Sequence, residues 1–236
     1  MRKFFKNATI ATIMLSFIGI MGASKADPTA SVVKEKVDSH LISSRALIQN
    51  DFSGVESGPI IRAFVAWMSE TNGDVLVLPP TEQDAMFFDL LLSDDEGNVK
   101  VFEMDLENDI KVPEPWSKAC RQTFYVLRIT SKHSVVKTLD GTRDGKEILA
   151  FTFAGCKYKF IAVVADRMRD ENLMYTTMLH ELGHMWGLSD NTAGRQSIMN
   201  GSWPGANCIT KKDIHDLYDL HHKGQVAPST GCVSEK

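Results

Sequence analysis

Residues Leu173–Asp190 read LMYTTMLHELGHMWGLSD, and this stretch decides the fold of the chain. Apolar side chains recur in it along one helical face, namely Met174, Met178, Leu182 and Met185, with Leu179 and Trp186 widening the stripe. The stripe predicts a helix over Leu173–Trp186 that lies largely inside the protein. We expect Gly187 to end this helix, because glycine adopts the left-handed backbone conformation without steric cost.

The same helix carries the motif H-E-x-x-H at residues 180–184. Histidines four positions apart lie on one helical face, so both imidazoles can reach a single metal ion. Zinc lowers the pKa of a bound water, and a nearby carboxylate can accept the water's proton as it attacks a carbonyl carbon. The motif therefore predicts His180 and His184 as zinc ligands and Glu181 as the catalytic general base.

A catalytic zinc needs a third protein ligand and an open position. Gly187 lets the backbone turn sharply after the helix, and Asp190, three residues later, can bring a carboxylate oxygen back to the metal. We therefore predict one catalytic Zn2+ held by His180, His184 and Asp190. An alternative places the third ligand on the last helix of the chain, at Asp213, Asp216 or Asp219.

Residues His180–Asp190, HELGHMWGLSD, resemble the zinc signature of the metzincin metallopeptidases, and Ser197–Asn200 resembles their Met-turn. Three further segments resemble the matrixin-like branch: ILAFTFAG its substrate-binding edge strand, KFIAVVAD its next inner strand and ITKKDIHDLYDLH its C-terminal helix. The resemblance covers roughly residues 45–222. It implies a zinc metalloendopeptidase that acts on protein or peptide substrates.

The chain departs from the matrixin pattern at several positions. Asp190 stands where matrixins have His, as in the snapalysin-like metzincins, and Phe151 stands where many have a structural-zinc His. The resemblance therefore implies no second zinc. Met199 is followed by Asn200-Gly201 rather than Pro or Tyr, and no matrixin-type cysteine switch precedes the domain.

Helical and strand patterns alternate through the rest of the chain. Gly58–Asn72 has apolar residues at helical spacing, namely Ile61, Phe64, Val65 and Met68, which predict the buried face of a helix. Asp74–Leu78 has the pattern of a buried strand. Strands over Ile148–Ala154 and Lys159–Ala165 follow the turn signals Asp140-Gly141 and Asp144-Gly145, and a final helix begins at Thr210 with Asp213 as its capping partner. The predicted fold class is α/β (α+β) and metzincin-like: a twisted mixed sheet, two long helices, and a small C-terminal lobe from Leu188 onward.

The N-terminus has the pattern of a signal peptide. A basic start is followed by an apolar run over residues 8–22 and by Ser24-Lys25-Ala26, which offers small residues for cleavage. We expect residues 1–26 to be removed, 27–44 to form an N-terminal extension and 45–236 to form the catalytic domain. The protein would then be secreted or periplasmic, although an uncleaved anchor is the alternative.

The net charge of the chain narrows the classes of molecule that it can bind. Loss of the four basic residues before Asp27 leaves 22 basic against 30 acidic residues, a net charge of −8 that disfavours nucleic acid as a partner. We expect a monomer with no membrane association after cleavage.

Four cysteines in an exported chain predict two disulfides, and we favour Cys120–Cys156 and Cys208–Cys232 because each pair closes a local region.

Two further possibilities stay open. The acidic cluster Asp94-Asp95-Glu96 offers oxygen ligands for Ca2+. The cluster lacks an EF-hand pattern, so its negative charge is the only feature that favours calcium binding. The chain could also be an exported metal-binding module without catalysis, or a zinc hydrolase of a non-peptide substrate. The intact Glu181 argues against the binding module.

Overall fold

The structure of the protein is a computed structural model that describes residues 42–85, 122–141, 147–155, 159–201, 205–221 and 227–232. The strands are β1 (Ile42–Ile48), β2 (Val75–Leu78), β3 (Thr123–Ile129), β4 (Ala150–Ala154) and β5 (Lys159–Val164). The helices are α1 (Gly54–Glu70), α2 (Ser134–Gly141), α3 (Glu171–Met185) and α4 (Lys211–His221). All of these elements belong to one unit, residues 39–236.

The five strands form one mixed sheet in the order β2-β1-β3-β5-β4. The pairs β1–β2, β1–β3 and β3–β5 are parallel, and β4 is antiparallel to β5 with Ala150 opposite Val163. Almost every residue of β3 and β5 is buried, as expected for central strands covered on both faces. The arrangement confirms a mixed sheet and leaves β4 at one of its edges.

The first strand begins before the predicted start of the domain at residue 45. β1 begins at Ile42, inside the range 27–44 that the sequence assigned to an extension, and Ile42 pairs with Val75. The residues that β1 buries are Ser44 and Ala46, which are small and partly polar. The strand therefore lacks the alternation of large apolar residues that identifies a half-buried strand.

Helix α1 differs from its prediction in start and in orientation. It begins four residues earlier than predicted, after Ser53, whose side chain forms a capping box with Glu56. The predicted apolar face included Val65, which is 44% exposed. The helix instead buries Ile60, Ala63, Phe64 and Trp67. This face is chosen by its contact with α3, where the Trp67 indole donates a hydrogen bond to the Leu179 carbonyl at 3.1 Å.

Helix α3 confirms its prediction closely. Asp170 caps its start by accepting a hydrogen bond from the Leu173 amide at 2.8 Å. All six apolar residues of the predicted stripe are buried. Gly187 follows the helix with a φ of +93°, and the Leu188 amide donates back to the Gly183 carbonyl at 3.0 Å, which is a Schellman ending. The chain is thereby turned sharply toward Asp190.

The structure before β4 differs from the turn that was predicted there. Asp140 and Gly141 were expected to form a turn, but they are the last residues of α2. The Arg167 guanidinium binds both carboxylate oxygens of Asp140, at 2.6 and 2.9 Å, and donates to the Ile148 carbonyl at 2.7 Å. This cation holds the pKa of Asp140 at about 2. The ion pair fixes the backbone that leads into β4.

One predicted disulfide lies within the described chain and is present. Cys208 and Cys232 are bonded, with their Cα atoms 6.3 Å apart. The other predicted pair, Cys120–Cys156, lies outside the described residues, as do the signal peptide, Asp144-Gly145 and the acidic cluster Asp94-Asp95-Glu96. Among the helices that the structure describes, none is long and apolar enough to cross a bilayer.

Candidate metal centre

Three potential metal ligands converge where α3 meets the chain that follows it. The Nε2 atoms of His180 and His184 are 3.0 Å apart. The Asp190 Oδ1 atom lies 3.2 Å from the first of these nitrogens and 3.4 Å from the second. The structure thus brings the three predicted ligand residues together.

Backbone hydrogen bonds orient the two imidazoles. The Nδ1 atom of His180 lies 2.8 Å from the Ile198 carbonyl, and that of His184 lies 2.8 Å from the Leu188 carbonyl. Carbonyl oxygens only accept, so each Nδ1 is assigned the proton and each Nε2 keeps its lone pair. Two nitrogen lone pairs and a carboxylate oxygen therefore face one another, an arrangement that is unfavourable without a cation between them.

The dimensions of the cluster fit zinc. A tetrahedral zinc with bonds of about 2.0–2.1 Å holds its ligand atoms about 3.3 Å apart. The three separations between ligand atoms, 3.0 to 3.4 Å, bracket that value. Imidazole nitrogen and carboxylate oxygen are also ligand types that zinc accepts. His180, His184 and Asp190 would hold the ion.

Glu181 lies beside this cluster and is almost fully buried, at 6% exposure. Burial raises the pKa of its carboxyl, although the neighbouring His180 and a hydrogen bond from Thr152 act in the opposite direction. The Thr152 hydroxyl lies 2.7 Å from Glu181 Oε2 and 3.0 Å from the Glu181 carbonyl. Thr152 belongs to β4, and no sequence pattern indicated this contact because the two residues are 29 positions apart along the chain.

Met199 packs directly against helix α3, which carries the two histidines. A Cβ atom added at Gly183 would lie 2.2 Å from the Met199 sulfur, and Met199 is 1% exposed. Only glycine at position 183 therefore allows this close approach. The methionine belongs to the buried core and contacts α3 at Gly183, a position between the two histidines along the helix.

The segment after α3 positions Asp190. The Asn191 amide donates to the Met199 carbonyl at 2.8 Å, and the Gly201 amide donates to the Asn191 carbonyl at 3.1 Å. A Cβ atom at Gly201 would approach the Asp190 carboxyl carbon to 3.0 Å. Glycine at position 201 thus gives the carboxylate its space, a role that the sequence analysis did not assign.

Asp213, an alternative ligand, is fully buried in another role. Its carboxylate accepts hydrogen bonds from the Ser197 hydroxyl, from the Ile198 amide at 3.0 Å and from the Thr210 amide at 2.8 Å. The last of these bonds confirms the predicted cap of the final helix. Because the Ile198 carbonyl accepts from His180, Asp213 on helix α4 is connected to the His180 imidazole through Ile198.

The two other alternative ligands form surface ion pairs on α4. Asp216 lies 2.7 Å from the Lys212 ammonium, and Asp219 lies 3.1 Å from the His215 ring. The ligand cluster in the described part of the chain contains neither of them. The geometry favours Asp190 as the third ligand.

A cleft of about 400 Å3 opens beside the cluster. Residues of β4, including Phe151 and Thr152, line one side of it, and Ile198, Gly205 and Ala206 line another. Apart from the histidines, the charged groups in its lining are the carboxylates Glu147, Glu181 and Asp190, and no lysine or arginine occurs among its described lining residues. The cleft is therefore an open, acidic space next to three converging ligand atoms.

No family model and no curated protein matches this chain. Among solved structures, the chain is similar to the crystal structure of archaemetzincin from Methanopyrus kandleri, with a TM-score of 0.42 and 14% sequence identity. The match covers 78% of this chain and 96% of that one.

Proposed function

We propose that the protein is a zinc-dependent endopeptidase of the metzincin type, with a matrixin-like fold and an aspartate as third ligand. One observation carries the proposal: His180, His184 and Asp190 converge beside a buried carboxylate at the floor of an open cleft. Metal, base and substrate space would thus lie within one site. A pure metal-binding module has no need of the buried Glu181.

Each side chain of the site has a definite task in this reaction. Zinc, when bound, supplies an acidified water and polarises the substrate carbonyl. Glu181 accepts the proton of the attacking water on its carboxylate and can return it to the departing amine. Its raised pKa brings it closer to neutral pH, where a base that must also act as an acid works best. Thr152 fixes the carboxylate through the 2.7 Å hydrogen bond.

The edge strand supports a peptide as substrate. β4 pairs with β5 on one side, and its residues line the cleft next to the ligand cluster. An extended peptide can pair with such an edge through main-chain hydrogen bonds. This mode of binding places a peptide bond near Glu181 without needing a particular side chain. A non-peptide substrate would make no use of the edge.

Export remains part of the proposal on the strength of the N-terminal sequence. Residues 1–26 have the pattern of a signal peptide, and cleavage after Ala26 would release the enzyme to the periplasm or the medium. N-terminal sequencing of the exported protein should begin at Asp27. A mature protein that retains Met1 would contradict this part.

The proposal is tested with purified protein on an unfolded protein substrate. We expect about one zinc per chain and cleavage that stops when a chelator removes the metal. Glu181→Gln should keep zinc and the fold but lose turnover, because the amide cannot accept the proton. Loss of zinc from this variant, or cleavage that survives the chelator, would contradict the roles assigned.

A further inference from the structure

Two adjacent threonines on α3 use their hydroxyls differently. Thr176 and Thr177 lie one turn before His180, and both line the cleft. The Thr176 hydroxyl donates to the Asn172 carbonyl at 2.9 Å, which is the usual bond of a threonine inside a helix. Within the part of the chain that the structure describes, the Thr177 hydroxyl has no hydrogen-bond partner. Its polar group is therefore free to bind something else.

The free hydroxyl opens into the cleft. Thr177 is 7% exposed. Its hydroxyl oxygen has no hydrogen-bond partner among the described residues but is not fully buried, so solvent in the cleft can reach it. Thr177 and His180 are three residues apart and share one helical face, so the hydroxyl lies near the ligand cluster. The cleft wall also contains Ile198 and Ala206, which are apolar. Thr177 thus adds an unpaired hydroxyl to a cleft whose lining also includes apolar side chains.

A bound side chain that covers this hydroxyl must either pair with it or leave it unsatisfied. Loss of water from an unpaired buried hydroxyl costs about 1–3 kcal/mol. A site built with such a group therefore rejects an apolar ligand of the same shape. A carboxylate could accept a hydrogen bond from this hydroxyl but is disfavoured by charge, because the charged groups that line the cleft besides the histidines are Glu147, Glu181 and Asp190.

From this we infer that Thr177 is a specificity-determining residue, selecting substrates with an uncharged hydrogen-bonding side chain, a hydroxyl or a carboxamide, close to the hydrolysed bond. The inference depends on the proposed peptidase function and adds a substrate class to it. Threonine against valine is the most direct comparison, since the two side chains have the same shape and differ in one hydroxyl.

The experiment measures binding rather than turnover. Zinc-loaded Glu181→Gln protein is titrated with peptides in which Thr and Val are exchanged at one position at a time, and dissociation constants are read by fluorescence anisotropy. We expect one position at which the Thr peptide binds about tenfold more tightly than the Val peptide. Adding Thr177→Val should abolish that preference, since it removes the hydroxyl and keeps the shape.

Thr176→Val is the matched control. It removes a hydroxyl that is already bonded within the helix, so the Thr-over-Val preference should persist. A preference that is absent at every position, or that survives Thr177→Val, overturns the inference. Turnover in the unmutated protein is a separate result: if no peptide is cleaved while the binding preference holds, the proposed function fails, and Thr177 selects among bound peptides rather than among substrates.

Discussion

At the scale of single residues, the site depends on contacts between segments that are distant in sequence. Thr152 bonds Glu181 across 29 positions, and Gly183 gives Met199 its space across 16. The H-E-x-x-H spacing predicted that His180 and His184 would lie side by side, because a helix fixes the geometry of positions four apart. It could not predict Thr152 or Gly201, because those contacts exist only after the sheet and the loop have packed.

Thr152→Val should lower kcat by about tenfold and leave zinc content unchanged, because it removes the hydrogen bond that orients Glu181. The same bond lowers the pKa of the Glu181 carboxyl. Its loss should therefore raise that pKa and move the acidic limb of the kcat–pH profile to higher pH, since the base must be ionised. Thr152→Ser keeps a hydroxyl and should restore both values. A valine variant with an unchanged profile would show that the contact has no catalytic effect.

Gly183→Ala should destabilise the fold by about 1–3 kcal/mol, because the new methyl group meets the buried Met199 sulfur at 2.2 Å. Urea unfolding measures the change. Gly54→Ala is the control: it is the first residue of helix α1, and its Cβ would meet no neighbouring atom within 4 Å. That variant should be neutral or slightly more stable. Equal stability of the two variants would argue against close packing at Gly183.

At the scale of elements, periodicity predicted helices better than strands. All six residues of the α3 stripe are buried, since a long amphipathic pattern has few interpretations. Helix α1 was predicted, but its buried face includes Trp67 instead of the predicted Val65, because packing against α3 determines which side of the helix is covered. β1 was missed since it buries the small residues Ser44 and Ala46. β3 was missed because its continuous apolar run also fits a buried helix segment.

Asp213→Asn tests the connection between α4 and the metal centre. The amide nitrogen cannot accept hydrogen bonds, so at least one bond to the Ser197 hydroxyl, the Ile198 amide or Thr210 is lost. Since Ile198 in turn orients His180, we expect zinc affinity to fall by about 10–100-fold. Competition with a chelator gives the affinity. Asp216→Asn, which removes a surface ion pair on the same helix, should bind zinc like the unmutated protein.

At the scale of the whole molecule, the sequence predicted a mixed sheet with helices but not the order of the strands. Parallel pairs such as β1–β3 join residues about 80 positions apart, for example Ala46 with Phe124, and no local pattern encodes that choice. The order matters for function because it leaves β4 at an edge beside the cleft. The disulfide Cys208–Cys232 could be predicted because the pair closes a short local region around α4.

Zinc content of Asp190→Ala tests the central claim most directly. With two protein ligands left, we expect the purified variant to lose its zinc and its peptidase activity together, since catalytic sites hold the ion with three. Asp216→Ala and Asp219→Ala, each made under the same conditions, should keep about one zinc per chain. An Asp190→Ala protein that retains full zinc, together with loss of zinc from either control, would move the third ligand to α4 and contradict the site described.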